Sequence, residues 1–307
     1  MNLDRLPTGS SSTSIVRAGQ HRSPASGNCP ALRNLSLAKR ARFCVLWEMP
    51  DWLAVIILGI IEGVTEFLPI SSTGHLLLAQ HWLQPRTEMF NVVIQTGAVL
   101  AVLAVFAQRA KTLVWRWHEP ANWDYLIKLF GAFVLTAAGG LTLKQLGLKL
   151  PETVAPVAWA TLIGGILFIG VEDWLRGKKT SEKVTWTVAI AVGLAQLVAA
   201  AFPGASRSGT TILIALALGL SRSAATEFSF LVGIPTLLSA GAKEAFDAVR
   251  DHAPHEPWSH VLLATIAAAI TAFIVVKWLL GYVRHHTFIP FGWYRIALGL
   301  AILLLVR

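Results

Sequence analysis

The hydrophobic pattern is a series of long apolar runs divided by short polar joints. After residue 49 it predicts ten helical segments, at roughly 51–68, 71–84, 88–107, 123–145, 153–175, 184–201, 206–219, 223–247, 258–283 and 288–306. An apolar helix needs about 20 residues to cross a bilayer. The third to fifth and eighth to tenth segments reach that length or nearly so, whereas 71–84 and 206–219 fall short. Segments one and two therefore read as a hairpin that enters and leaves on one side, and six and seven as another. Each half then holds one re-entrant hairpin and three crossings. Three is odd, so the halves insert in opposite senses. The expected fold is an all-α polytopic membrane protein with two inverted repeats, about 51–175 and 184–306.

Two polar stretches interrupt this pattern. Residues 59–75 read GIIEGVTEFLPISSTGH. Ionisable groups inside a membrane cost about 2.5–3.5 kcal/mol each, so they face the protein interior and serve a purpose. Glu62 and Glu66 are four apart, on one face of a helix. Pro69 breaks that helix, and Ser71, Ser72 and Thr73 can satisfy the freed backbone or cap the next one. His75 follows Ser72 by three residues, on the same face. Residues 193–211, GLAQLVAAAFPGASRSGTT, answer the first stretch. Aligning Gly59 with Gly193 puts Glu62 on Gln196, Pro69 on Pro203 and Ser72 on Ser206. A repeated broken helix puts the expected site where the repeats meet.

Composition agrees. Of 307 residues, 54% are hydrophobic and 14% charged, with a mean hydropathy of +0.59, which excludes an ordinary soluble domain. The net charge of +9 is uneven: residues 1–48 carry seven basic and two acidic residues. That stretch is rich in Ser, Arg and Pro, without apolar period or signal-peptide core, and reads as a disordered basic extension. We expect translation to start at Met49, leaving 49–307 as the membrane domain. The alternative is a genuine cytosolic or targeting tail, and intact mass of natively expressed protein decides between them. Both cysteines, Cys29 and Cys44, fall in this extension, so the core has no thiol chemistry. No basic face with interleaved aromatics points to nucleic acid. Of the predicted joints, one side receives nine basic residues against five on the other, and the richer side is cytoplasmic. Trp115, Trp117 and Trp123 read as interfacial anchors.

The candidate chemistry has three parts. Arg207, between Ser206 and Ser208 at a helix start, combines a planar cationic fork with unpaired N–H groups, which suits phosphate. Gly204 lets backbone approach the same ligand, and Thr210 joins the phosphate-binding candidates with Ser71 and Thr73. Pairing of Arg207 with Glu62 or Glu66 as a structural ion pair is the competing role. The two carboxylates repel in low dielectric unless a cation intervenes, and that cation is Arg207 or a divalent metal. Mg²⁺ and Ca²⁺ take oxygen ligands from carboxylates and phosphates; no His/Cys set has zinc spacing. Finally, Ser72 or His75 can act as nucleophile, a serine beside a carboxylate or imidazole being the usual activated hydroxyl.

At this point the residues resemble a known family. EGVTEFLPISSTGH at 62–75 and PGASRSGTT at 203–211 closely resemble the two signature motifs of the bacterial undecaprenyl-pyrophosphate phosphatases of the bacitracin-resistance type. The resemblance runs from about Met49 to the C-terminus, with no departure inside the motifs. It implies dephosphorylation of undecaprenyl pyrophosphate to undecaprenyl phosphate, recycling the lipid carrier for peptidoglycan and other envelope polymers. It also implies a bacterial inner-membrane location, an active site open to the periplasmic side, and Mg²⁺ or Ca²⁺ dependence. Position by position, Glu62 and Glu66 match the family's acidic pair, Ser72 and His75 its catalytic serine and histidine, and Arg207 its phosphate-binding arginine. The bilayer and the lipid substrate are the expected partners, with a homodimer as the further one considered.

A polyprenyl-phosphate transporter or flippase is the rival reading, because inverted repeats with re-entrant hairpins serve secondary transporters. It needs no nucleophile, which Ser72 and His75 supply. SSTGH superficially resembles a motif of the acid-phosphatase-like lipid phosphatases. Those need a further histidine and aspartate after a Ser-Arg pair, and nothing of the kind follows Ser206-Arg207 or Ser221-Arg222. A membrane scaffold would have no use for the polar cluster.

Overall fold

The computed structural model describes residues 49–146, 154–250 and 256–306; the expected basic extension at 1–48 lies outside the described residues. Among the described residues there are eleven helices. In order they are α1 (Asp51–Thr65), α2 (Ser72–Trp82), α3 (Glu88–Val105), α4 (Ala107–Trp115), α5 (Pro120–Gln145) and α6 (Val154–Trp174), then α7 (Trp186–Ala201), α8 (Arg207–Ala217), α9 (Arg222–Arg250), α10 (Trp258–Tyr282) and α11 (Ile289–Leu305). Among the described residues there is no strand, only an isolated bridge between Ser181 and Leu220.

Among the described residues five helices are long and apolar enough to cross a membrane: α3, α5, α6, α9 and α10. The sequence pattern predicts six. The last, α11, has 17 residues, about 25 Å at 1.5 Å per residue. Large apolar side chains stay exposed on these helices, among them Leu141, Ile163, Leu262 and Ile270. Lipid tolerates such a surface, and the helices satisfy their own backbone groups. The chain is therefore a multi-pass membrane protein.

A second difference is α4, which falls where the sequence pattern predicts a joint between segments. Its support is tertiary. Arg109 donates to Glu227 of α9 at 2.9 Å and lies 5.0 Å from the Tyr125 ring centre of α5. Local periodicity carries no trace of such partners.

The two short pairs, α1–α2 and α7–α8, are wrapped by the longer helices. α10 packs along α1 and α3, α5 along α7, α9 along α3 and α8, and α11 along α6. Small residues let α1 and α10 touch closely: a Cβ on Gly59 would sit 2.3 Å from Ala264 O, and one on Gly63 2.3 Å from Ala268 O.

A buried ion pair ties three helix ends. Glu172 of α6 is 1% exposed. It accepts from Arg222 Nε at 2.9 Å and Nη2 at 2.5 Å, and from the Phe288 N–H at 2.8 Å. Removing the carboxylate strands both donors. Glu172→Ala should therefore lower stability by about 3 kcal/mol, read as a lower unfolding midpoint in detergent.

Candidate active site

Each short pair is one helix broken near its proline. In the first break α1 ends at Thr65, the Glu66 N–H closes on Glu62 O at 2.9 Å, and α2 restarts at Ser72. Ser71 caps α2, its Oγ accepting the Gly74 N–H at 3.2 Å. In the second, α7 ends at Ala201 and α8 restarts at Arg207, capped by Ser206 Oγ, which accepts the Gly209 N–H at 3.1 Å. Both caps have positive φ, 75° at Ser71 and 67° at Ser206, the only such non-glycine residues among those described. Positive φ costs an L-residue on the order of 1–3 kcal/mol, and it persists where the surroundings impose it. Gly204, at φ 93°, runs so close to α6 that a Cβ would meet Val157 O at 2.3 Å.

The caps correct the sequence alignment by one residue. Ser206 is the counterpart of Ser71, not of Ser72. The second break has one more residue between its proline and its cap, so Ser72 and Arg207 hold matching places as the first residues of their helices.

Those two residues meet on one carboxylate. The Ser72 hydroxyl donates to Glu66 Oε2 at 2.6 Å, and Arg207 Nη2 lies 3.8 Å from Glu66 Oε1. Glu66 itself is 7% exposed. Beside them is a cavity of about 240 Å³ lined by Glu66, Ser72, Thr73, Gly204, Ser206 and Arg207 from the two breaks. Gln95, Thr136, Gln196 and Thr236 add further polar groups to its lining. Arg207 Nη1 is buried with no hydrogen-bond partner. A buried guanidinium donor is seldom left unused, and this one is available for an incoming oxygen.

The other sequence candidates fall around this pair. Ser208 is buried and donates to Glu66 O and Leu68 O, each at 3.1 Å, so it ties the second break to the backbone of the first. Thr210 donates to Ser206 O at 2.8 Å and is absent from the cavity lining. His75 is also outside that lining. Its Nδ1 is 2.7 Å from Ser71 O and must donate, because a carbonyl only accepts; Nε2 lies 2.7 Å from the Tyr294 hydroxyl. Glu62 is fully buried and within electrostatic reach of both Glu66 and Arg207.

Residues 55–301 match the family described as Bacitracin resistance protein BacA. The chain belongs to the BacA family. A protein named undecaprenyl-diphosphatase from Xylella fastidiosa (strain 9a5c) is 52% identical over 257 residues, 83% of this chain and 98% of the relative. One of the same name from Rhizobium etli (strain CIAT 652) is 52% identical over 256 residues, 82% of this chain and 96% of the relative. A third, from Xanthomonas campestris pv. campestris (strain 8004), is 50% identical over 258 residues, 83% and 98%.

The acidic pair suits a hard cation in this BacA-family chain. Neither Glu62 oxygen has a hydrogen-bond partner, and a buried carboxylate needs a proton or a cation. Two carboxylates alone do not complete the shell of Mg²⁺ or Ca²⁺. Among the described residues no group of three or more His, Cys, Asp or Glu gathers. The remaining ligands would be water and substrate oxygens.

Sequence reading missed Tyr294 and Arg295. The signal for Arg295 was present: it is a lone charge inside the apolar α11, and intramembrane charges point to function. Tyr294 had no signal, because it meets His75 across 219 residues of chain.

Proposed function

We propose that the protein hydrolyses the terminal phosphate of undecaprenyl pyrophosphate, releasing undecaprenyl phosphate and inorganic phosphate. The observation that carries this is Glu66 holding Ser72 on one oxygen and Arg207 near the other. Phosphoryl transfer needs an in-line nucleophile and charge neutralisation more than covalent help from the protein. Glu66 takes the Ser72 proton as Oγ forms a bond to the terminal phosphorus. The bond from that phosphorus to the bridging oxygen breaks, and undecaprenyl phosphate leaves as an anion that needs no proton. Arg207 and the first N–H groups of α8 face the charge on the transferred group. Glu66 releases that proton to solvent once undecaprenyl phosphate has left. It then takes a proton from the attacking water as the water oxygen bonds to phosphorus and the Oγ–P bond breaks, and it returns that proton to Ser72 Oγ as inorganic phosphate is released. His75, committed to Ser71 O and Tyr294, orients the cap behind the nucleophile. The relatives' shared name supports the substrate, and resistance to bacitracin follows from the family's description.

The two short pairs act as re-entrant hairpins of inverted repeats. The shared cap geometry supports this, as do the partly matching packings: α10 on α1 answers α5 on α7, and α2 on α11 answers α8 on α6. The breaks then meet near the midplane, and the cavity opens to the periplasmic side, as the family resemblance implies.

A divalent cation, Mg²⁺ or Ca²⁺, held by Glu62 and Glu66 would neutralise phosphate charge during binding and transfer. Chelation should lower turnover by about a hundredfold, and either ion should restore it. Turnover unchanged in EDTA would remove the cation from the site.

Phosphate release from undecaprenyl pyrophosphate by the full chain in detergent tests the main reading. No release from folded protein with any cation would transfer the site to a polyprenyl-phosphate transporter. That alternative gives Ser72 no reason to sit on a carboxylate.

A further inference from the structure

Arg295 is fully buried in α11, and no carboxylate among the described residues pairs with it. Its guanidinium instead donates to five backbone carbonyls. Nε reaches Thr161 O at 3.1 Å, Nη1 reaches Pro69 O at 3.1 Å, and Nη2 reaches Ala160 O at 3.3 Å, Gly204 O at 3.3 Å and Ala205 O at 2.9 Å. Pro69 belongs to the first break; Gly204 and Ala205 belong to the second. One planar side chain therefore grips both breaks and anchors them to α6. Burying a cation without a counter-ion is costly, and no span of the membrane requires it.

The grip lies just ahead of the two strained caps. Pro69 precedes Ser71 by two residues, and Ala205 directly precedes Ser206. The peptide planes that Arg295 fixes thus lead straight into the positive-φ residues that aim Ser72 and Arg207. Space for it is made by glycine. A methyl on Gly164 would lie 2.1 Å from Nη2, and one on Gly209 2.9 Å from Nη1. Arg295 is not among the residues lining the cavity, so it acts through the groups it holds.

We infer that Arg295 is a positioning residue, a cross-brace that keeps the two breaks in the register where Ser72 and Arg207 share Glu66. The inference rests on the phosphatase reading for its kinetic consequence, though not for its geometry.

The test uses full-length protein in detergent and four variants: Arg295→Lys, Arg295→Met, Gly164→Ala, and Gly164→Ala combined with Arg295→Met. Gly164→Ala keeps the arginine and displaces only its guanidinium, so it serves if Arg295 variants fail to fold. Misplacement near 1 Å costs about a hundredfold. We expect kcat to fall about that far in Arg295→Met and Arg295→Lys, and at least about tenfold in Gly164→Ala, with KM within about threefold of wild type. In the double variant the methyl should add less than about twofold, because its target is gone. A readout independent of turnover is the distance between spin labels at Thr73→Cys and Phe202→Cys, with Cys29 and Cys44 replaced by serine. Its distribution should be narrow with Arg295 and Gly164 present and broad in each variant. Wild-type kcat in a folded variant, losses that simply multiply in the double variant, or label distances that never broaden would each overturn the inference. A wild-type chain that releases no phosphate would refute the phosphatase reading instead, and the label distances alone would then decide the brace.

Discussion

Ser72→Ala should lower kcat by about 10³–10⁴-fold while KM changes little, since the hydroxyl acts mainly in the transition state. The reason is local. Ser72 is the first residue of α2, and its hydroxyl is already bonded to Glu66 at 2.6 Å. Loss of Oγ removes the nucleophile without disturbing the cap, which belongs to Ser71. Quenching turnover with substrate labelled in the terminal phosphate should trap phosphoserine in the wild type and nothing in the variant. His75→Gln should cost no more than about tenfold, the scale of one or two lost hydrogen bonds. The reverse order of effects, with phosphate trapped on histidine, would make His75 the attacking group.

The second large effect is expected at Arg207. Arg207→Ala should lower kcat/KM by about 10³–10⁵-fold, the range for an arginine that neutralises a transferring phosphoryl group. Unlike Ser72→Ala, it should also raise KM, because the same fork meets phosphate oxygens in the ground state. Arg207→Lys should recover only a small part. A lysine brings the charge but not the second, buried nitrogen that has no partner in the protein. Equal activity in the lysine variant would show that charge alone is needed. Both variants should be checked for folding, because Arg207 also balances Glu62 and Glu66.

Much of this site was legible in the sequence for one reason. Glu66, Pro69, Ser72 and Arg207 are polar or helix-breaking residues inside apolar runs, where every such residue stands out. Five of the six expected spans reach full length among the described residues, because a bilayer fixes what counts as long enough; α11, at 17 residues, is the exception. What stayed hidden depended on contacts rather than on pattern. The offset between the two caps was invisible, since Ser-Ser and Ser-Arg both offer a capping serine and only φ at Ser71 and Ser206 identifies which one serves. α4 was hidden because its support is an ion pair between residues 118 positions apart. Arg295 and Glu172 are a different case. Both are charges within apolar helices, as visible as Glu66, yet neither lies near a proline break or a run of small polar residues.

Ser72 and Arg207 open their helices from equivalent places behind equivalent serine caps. Were the two broken helices identical at this place, the pocket would hold either two hydroxyls or two cations. Two hydroxyls would have no charge to receive the phosphoryl group, and two cations would have nothing to attack it. The reaction therefore depends on the two breaks differing: the first supplies Ser72 and Glu66, the latter where the second has Ala200, and the second supplies Arg207. A chain with one half overwritten by the other could keep its bends and its caps, and it would be chemically mute.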